Sequence, residues 1–263
     1  MFNSLVEQQA YVLDRPPLVR AVTQITFSPS ARLGTADGLV QLQDGLGDSF
    51  VLQAQQGMAL QINFGAPVAL SQKYSFANGD GYNVAVSPQD VVLAIDQRYK
   101  TRTEFGATLR SVVAAVAAAG KINQAMRVGV RYINALPASI DQFQAWFKPE
   151  FTGWAGGSFV TKQARRTWIL ITQLAAEGLQ PSDGGVIRYG YLPDGVGKDI
   201  TDAPAATEPS FLADIDFGSS QPRTFDPDSI GDLFEHLNRV IASFFAYTLT
   251  DAGTQFFGLR RKE

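Results

Sequence analysis

Cysteine is absent from this chain of 263 residues. Disulfides, cysteine nucleophiles, cysteine-bound zinc and iron–sulfur clusters are therefore all excluded. Histidine occurs once, at His236. One imidazole cannot build a multi-histidine zinc site, although a serine–histidine–aspartate arrangement, which needs only one, stays open. No Gly-x-Ser-x-Gly elbow accompanies it. Charge is also sparse: Asp, Glu, Lys and Arg make up 18% of the chain, with a net charge of −3, against about 25% in ordinary soluble domains. A surface that tracks nucleic-acid phosphates usually shows a basic excess, so a nucleic-acid partner is not expected unless a local groove supplies one. Long apolar runs are missing too. The longest, Val112 to Ala119, falls well short of the roughly 20 residues a membrane-spanning helix needs. The chain opens on a mixed, polar segment rather than a basic and then apolar leader, and the expectation is a cytoplasmic protein with no membrane contact. Gly195-Val196-Gly197-Lys198-Asp199 misses the spacing of a phosphate-binding loop.

What is present is the pattern of a globular α+β protein, with 45% hydrophobic residues. Pro16-Pro17 leads into an alternating strand over Leu18–Phe27. Residues 35–50 place Leu39, Leu42, Leu46 and Phe50 at helical spacing, weakened by Gly38, Gly45 and Gly47. Met58 to Phe64 alternates as a further strand. A meander of strands at 73–77, 82–86 and 91–97 follows, turned by Asn78-Gly79-Asp80-Gly81 and Ser87-Pro88-Gln89-Asp90. Thr101 and Glu104 form a capping box for a helix whose stripe is Phe105, Leu109, Val112, Val113 and Val116, with Gly120 at the left-handed stop. An irregular stretch is expected over 138–157. Strands are expected at 159–172, 185–191 and 211–217, with a long loop at 193–210. Asp226 and Pro227 open a last helix whose apolar face runs from Ile230 through Phe245. Each half supplies antiparallel strands and closes on a long amphipathic helix. This suggests a single domain, 1–263, built as a duplicated unit of curved antiparallel sheet, with pseudo-repeats at about 16–136 and 137–250.

The most distinctive run is Arg127-Val128-Gly129-Val130-Arg131-Tyr132-Ile133-Asn134. As a strand it puts Arg127 and Arg131 on one face. Asp214 and Asp216 likewise share a face of the strand 211–217. Paired guanidiniums suit an anionic ligand, a carboxylate or a phosphate; the same four residues also suit an internal ion-pair ladder, to which Asp96 is a further candidate. Two carboxylates alone are too few for a divalent metal, so neither a metal nor a cofactor is expected. Trp146, Phe147 and Trp154, with Arg165 and Arg166 nearby, are candidates to stack against a partner or to plug the core beneath a loop.

These segments resemble a sporadically distributed bacterial and archaeal protein family of about this length that has no assigned function. The likeness covers most of the chain. It is carried by the Pro16-Pro17-Leu18-Val19 entry, by Tyr99 with Phe105 and Leu109, and by the run 127–134. Leu212-Ala213-Asp214-Ile215-Asp216 and His236-Leu237 add to it, although Glu235 stands where that family's helix carries a leucine before the histidine. The resemblance implies a setting among prophage, toxin-neutralisation or phage-defence genes and no reaction. The leading expectation is a non-enzymatic binding protein with a protein partner or a second copy of itself. The alternative is an enzyme or sensor of a phosphorylated or otherwise anionic ligand, using Arg127, Arg131, Asp214 and Asp216.

Overall fold

Extended segments form where side chains alternate, and helices where apolar residues return every three or four positions. The computed structural model describes residues 11–53, 73–152, 170–177, 182–192 and 208–261. In chain order these make β1 (Tyr11–Leu13), β2 (Leu18–Phe27), a 3-10 turn (Ala31–Gly34), α1 (Ala36–Leu46), β3 (Val51–Leu52), β4 (Tyr74–Ala77), β5 (Tyr82–Val86), β6 (Asp90–Ile95) and α2 (Arg102–Gly120). Then come β7 (Gln124–Pro137), α3 (Ile140–Trp146), α4 (Pro149–Thr152), β8 (Leu170–Glu177), β9 (Asp183–Leu192), β10 (Ser210–Ser219), β11 (Arg223–Thr224), α5 (Pro227–Thr248), α6 (Asp251–Phe257) and β12 (Leu259–Arg261). The class is α+β. Ten strands form an open antiparallel sheet in the order β3-β4-β5-β6-β2-β7-β10-β9-β8, with β11 beside β7, while β1 pairs with β12. The expected strand at 58–64 and most of those at 159–172 and the loop at 193–210 lie outside the described residues.

Two compact units divide the chain. One comprises Met1–Ala21, Val130–Ser219 and His236–Glu263; the other comprises Val22–Gly129 and Ser220–Glu235. The units interleave along the chain, and β2, β7 and α5 each run from one into the other.

In the second unit the meander β4-β5-β6 forms in register, Tyr82 opposite Ile95 and Tyr74 opposite Val86. Its first turn is set by Asn78, whose Oδ1 accepts from the backbone N–H groups of Asp80 and Tyr82, both at 3.0 Å. Helix α2 starts where expected, Thr101 Oγ1 accepting from the Glu104 N–H at 3.1 Å. Its whole predicted stripe is buried, and Phe105 stacks on Phe234 with ring centres 5.4 Å apart. The stop differs from expectation by one residue. Lys121 takes the left-handed conformation at φ 52°, and Gly120 ends the helix proper. Gly120 is needed for space instead: a Cβ there would lie 2.8 Å from the Ile122 side chain and 3.1 Å from that of Leu33. The last carbonyls are satisfied from outside the helix, Ser30 donating to Gly120 O at 2.7 Å and Arg32 to Ala119 O at 3.3 Å.

In the first unit, β10 pairs with β9, and β9 with β8, in continuous antiparallel register. One face of β10 presents Phe211, Ala213, Ile215 and Phe217, all buried. The stretch expected to be irregular here forms two short helices. Helix α3 carries a complete capping box, Ser139 Oγ accepting from the Gln142 N–H while Gln142 accepts from the Ser139 N–H. Its Phe143 and the following Phe147 pack on Phe211, with ring centres 6.4 and 4.8 Å away. Phe151, Phe244, Phe245 and Phe257 complete the layer, which leaves a gap of only about 10 Å³, room for one water-sized sphere. In the second unit Asp226 caps α5 as expected, accepting from the Ser229 N–H at 2.9 Å. Tyr132 and Asn238 hydrogen-bond to each other in the core, tying the last part of α5 to β7. The sequence reading made this the last helix, but α6 follows it, and Leu259–Arg261 form β12, where Arg260 pairs with Asp14.

Candidate functional site

Arg131 lies on β7, a strand that spans residues 124–137 and contains the whole octapeptide 127–134 in extended form. Its neighbour in the first unit is β10. There Asp214 is completely buried, 0% of its side chain exposed. Burying a carboxylate is tolerable only when donors replace water. Arg131 supplies two, Nε to Oδ1 at 2.8 Å and Nη2 to Oδ2 at 2.9 Å, the fork-on-fork geometry that matches guanidinium to carboxylate. A second arginine reaches the same carboxylate. Arg188 stands directly opposite Asp214 on β9 and donates Nη1 to Oδ2 at 3.2 Å. Its Nε donates to Oε1 of Gln173, directly opposite it on β8, at 2.9 Å.

The result is a polar row across four neighbouring strands: Arg131, Asp214, Arg188, Gln173. Only Asp214 within it is fully buried. Arg131 is 21% exposed, Arg188 29%, and Gln173 lies at the surface. An apolar cluster of Ile133, Leu192 and Leu212, flanked by Val19 and Ala135, lies beside the buried carboxylate. Ile133 and Leu212 are two residues from Arg131 and Asp214 on the same strand faces, so they keep water from the carboxylate and strengthen its bonds. Chemically the row can hold charge in a fixed place and offer hydrogen-bond donors outward.

Of the four residues singled out on the two strands, Arg131 and Asp214 meet. Arg127 belongs to the second unit. Its guanidinium folds along its own strand over Gly129, where a Cβ would come within 2.8 Å of Nη1. Asp216 is half-buried two residues beyond Asp214, and it and Arg127 each have an interaction of their own. Asp96 does not join the row; it pairs with Arg98 in the second unit at 2.6 Å. The hydrogen bond from Arg98 holds the Asp96 carboxyl below its ordinary range, against the opposing effect of its slight burial.

Trp146 and Phe147 are buried side chains of the aromatic layer; Trp146 stacks on Phe256, and Phe147 packs at a tilt against Phe211. Their rings are packed within the protein's own core, as in the plug reading of this segment. Trp154, Arg165 and Arg166 lie outside the described residues. His236 is half-buried on α5. Among the described residues no group of three His, Asp or Glu side chains is placed to hold a metal, and no helix is long and apolar enough to cross a membrane.

Arg188 and Gln173 were not singled out from the sequence. The available signal was Arg188 itself, a charge in the middle of the strand Val186-Ile187-Arg188-Tyr189, which needs a cross-strand partner. No protein-family model matches the chain, and neither does any curated protein sequence.

Proposed function

We propose that the protein acts by binding, and that it holds a protein partner against the sheet face of the first unit that bears the polar row. The observation that supports this reading is the continuity of that row. Four side chains on four strands are fixed by hydrogen bonds of 2.8 to 3.2 Å, and Arg188, which reaches solvent, is held by the buried carboxylate of Asp214. Side chains already held in one geometry lose little entropy when a partner meets them. On this reading the protein works in the cytoplasm, and the family resemblance adds a setting among prophage, toxin-neutralisation or phage-defence genes.

Affinity capture from the protein's own cells, with wild type beside Arg188→Ala, tests it. Removing Arg188 leaves Asp214 still forked to Arg131, so the variant is expected to stay folded. The expected result is a protein that co-elutes in fixed ratio with wild type and is lost with the variant. Equal recovery by both, or self-association alone, contradicts the reading. A second reading, an anionic small molecule as the ligand, is favoured by the two guanidiniums that converge on one carboxylate.

A further inference from the structure

We infer that Asn78-Gly79 is a site of spontaneous deamidation and that Arg98, braced by Asp96, is the latch that holds the reaction off in the folded protein. The inference stands apart from the binding reading, since this turn belongs to the second unit. Asn78-Gly79 is the one Asn-Gly pair in the sequence. Glycine has no Cβ to obstruct its backbone nitrogen, which makes this pair the most reactive setting for asparagine. The nitrogen of Gly79 loses its proton and attacks Cγ of Asn78. A C–N bond closes a succinimide ring, and the Asn78 side-chain nitrogen leaves with the proton as ammonia. Water then opens the ring at either carbonyl and gives aspartate or isoaspartate. Only water is consumed.

The fold leaves the attacking group open and restrains the group attacked. Gly79 is exposed, with no atom within 4 Å of where a Cβ would stand. Asn78 is half-buried, and its Oδ1 accepts from the Asp80 and Tyr82 N–H groups, both at 3.0 Å. Its own N–H donates to Tyr82 O at 3.0 Å. A carboxamide pinned through its oxygen at two donors cannot turn freely to present Cγ to Gly79. Tyr82 is buried, so water does not readily replace Asn78 as the acceptor for its N–H. Arg98 closes the turn from the other side. Its Nη1 donates to Gly79 O at 3.0 Å, while Nε and Nη2 fork onto Asp96. The guanidinium lies over Gly81, which takes φ 92° and where a Cβ would collide with it. The turn cannot open for ring closure without breaking the bond from Arg98 to Gly79. Isoaspartate would carry the main chain through Cβ and Cγ, so the turn between β4 and β5 could not keep its present hydrogen bonds.

The test follows deamidation of the full-length chain in mildly basic buffer by mass spectrometry, with peptide mapping to place the change at Asn78. Folded protein is compared with the same chain in urea above its unfolding midpoint. The expected result is that Asn78 reacts at least about tenfold more slowly in the folded protein, the combined weight of the hydrogen bonds that restrain it. Arg98→Ala should raise the folded rate by about two- to tenfold, the weight of one hydrogen bond, with a melting temperature close to wild type. Arg98→Lys should fall between. Arg260→Ala, which removes an exposed ion pair from the first unit, should leave the rate unchanged. The sign separates a latch from a charge effect. A cation beside the turn favours deprotonation of the Gly79 amide, so an arginine acting through charge alone would make Arg98→Ala react more slowly. Asp96→Asn, which weakens the brace, repeats the test if Arg98→Ala melts early. Three results overturn the inference: a folded chain that reacts as fast as the unfolded one, or faster because the Asp80 and Tyr82 N–H groups stabilise the developing oxyanion; an Arg98→Ala rate equal to or below wild type; or an equal acceleration in Arg260→Ala.

Discussion

Arg98 and Asp96 sit two residues apart at a turn of the second unit, whereas Arg131 and Asp214 sit 83 residues apart on two strands of the first. The contacts are alike: each arginine forks onto its carboxylate through Nε and Nη2, at 2.9 and 2.6 Å in one pair and 2.8 and 2.9 Å in the other. The surroundings are not. Arg98 and Asp96 are 53% and 48% exposed, and water and salt screen them. Asp214 has no exposed surface and is bordered by leucine and isoleucine. Identical hydrogen-bond geometry therefore carries different energetic weight. The exposed pair orders a turn. The buried pair is a condition of folding for the strands around it, because Asp214 without Arg131 would be a carboxylate in an apolar setting with one remaining guanidinium.

The comparison breaks most visibly at Arg131. Arg131→Ala should lower stability by about 3 to 5 kcal/mol, the cost of breaking a buried pair on one side, read as a shift of the urea midpoint with little change in slope. An unchanged midpoint would make the two pairs equivalent. Arg131→Lys sharpens the point. It keeps the charge and loses the planar fork, and should cost about 1 to 2 kcal/mol. Salt separates the pairs further: the deficit of Arg131→Ala should persist at about 1 M salt, where the screening length falls to about 3 Å, while any deficit of Arg98→Ala should vanish.

Arg98→Ala should have the smallest effect on stability, with a melting temperature close to wild type. Its larger consequence is on titration. The Asp96 carboxyl is held low chiefly by the Arg98 hydrogen bond, so it stabilises the folded state above its ordinary pKa, and that contribution is lost as pH falls through the lowered folded value. The variant should return Asp96 toward its ordinary range, as side-chain carboxyl NMR would register. No movement would mean that Arg98 is not the cause.

Much of the fold was legible because it rests on local patterns. The alternation of Leu18–Phe27, the Asn78 turn, the Thr101 cap and the stripe from Phe105 to Val116 each declare themselves within a few residues. Helix α3 was missed, because the aromatic residues around it drew attention away from the Ser139 and Gln142 cap. The Arg131–Asp214 pair belongs to the four-residue ladder that was one of two readings of the strand faces. Arg188 and Gln173 were not expected, because their place in the row depends on which residues β8, β9 and β10 set opposite one another. Strand register is a tertiary property, and a single sequence does not state it. The same limit applies to the Lys121 stop: Gly120 looks like a terminator until Leu33 and Ile122 are seen against it.

The most direct measurement of the central claim, that Asp214 is held in the interior by Arg131, is a double-mutant cycle for Arg131→Ala and Asp214→Ala in urea unfolding. The account predicts a coupling of about 1.5 to 3 kcal/mol, as for a hydrogen-bonded charged pair. Effects that add to within about 0.5 kcal/mol, the behaviour of independent sites, would contradict it.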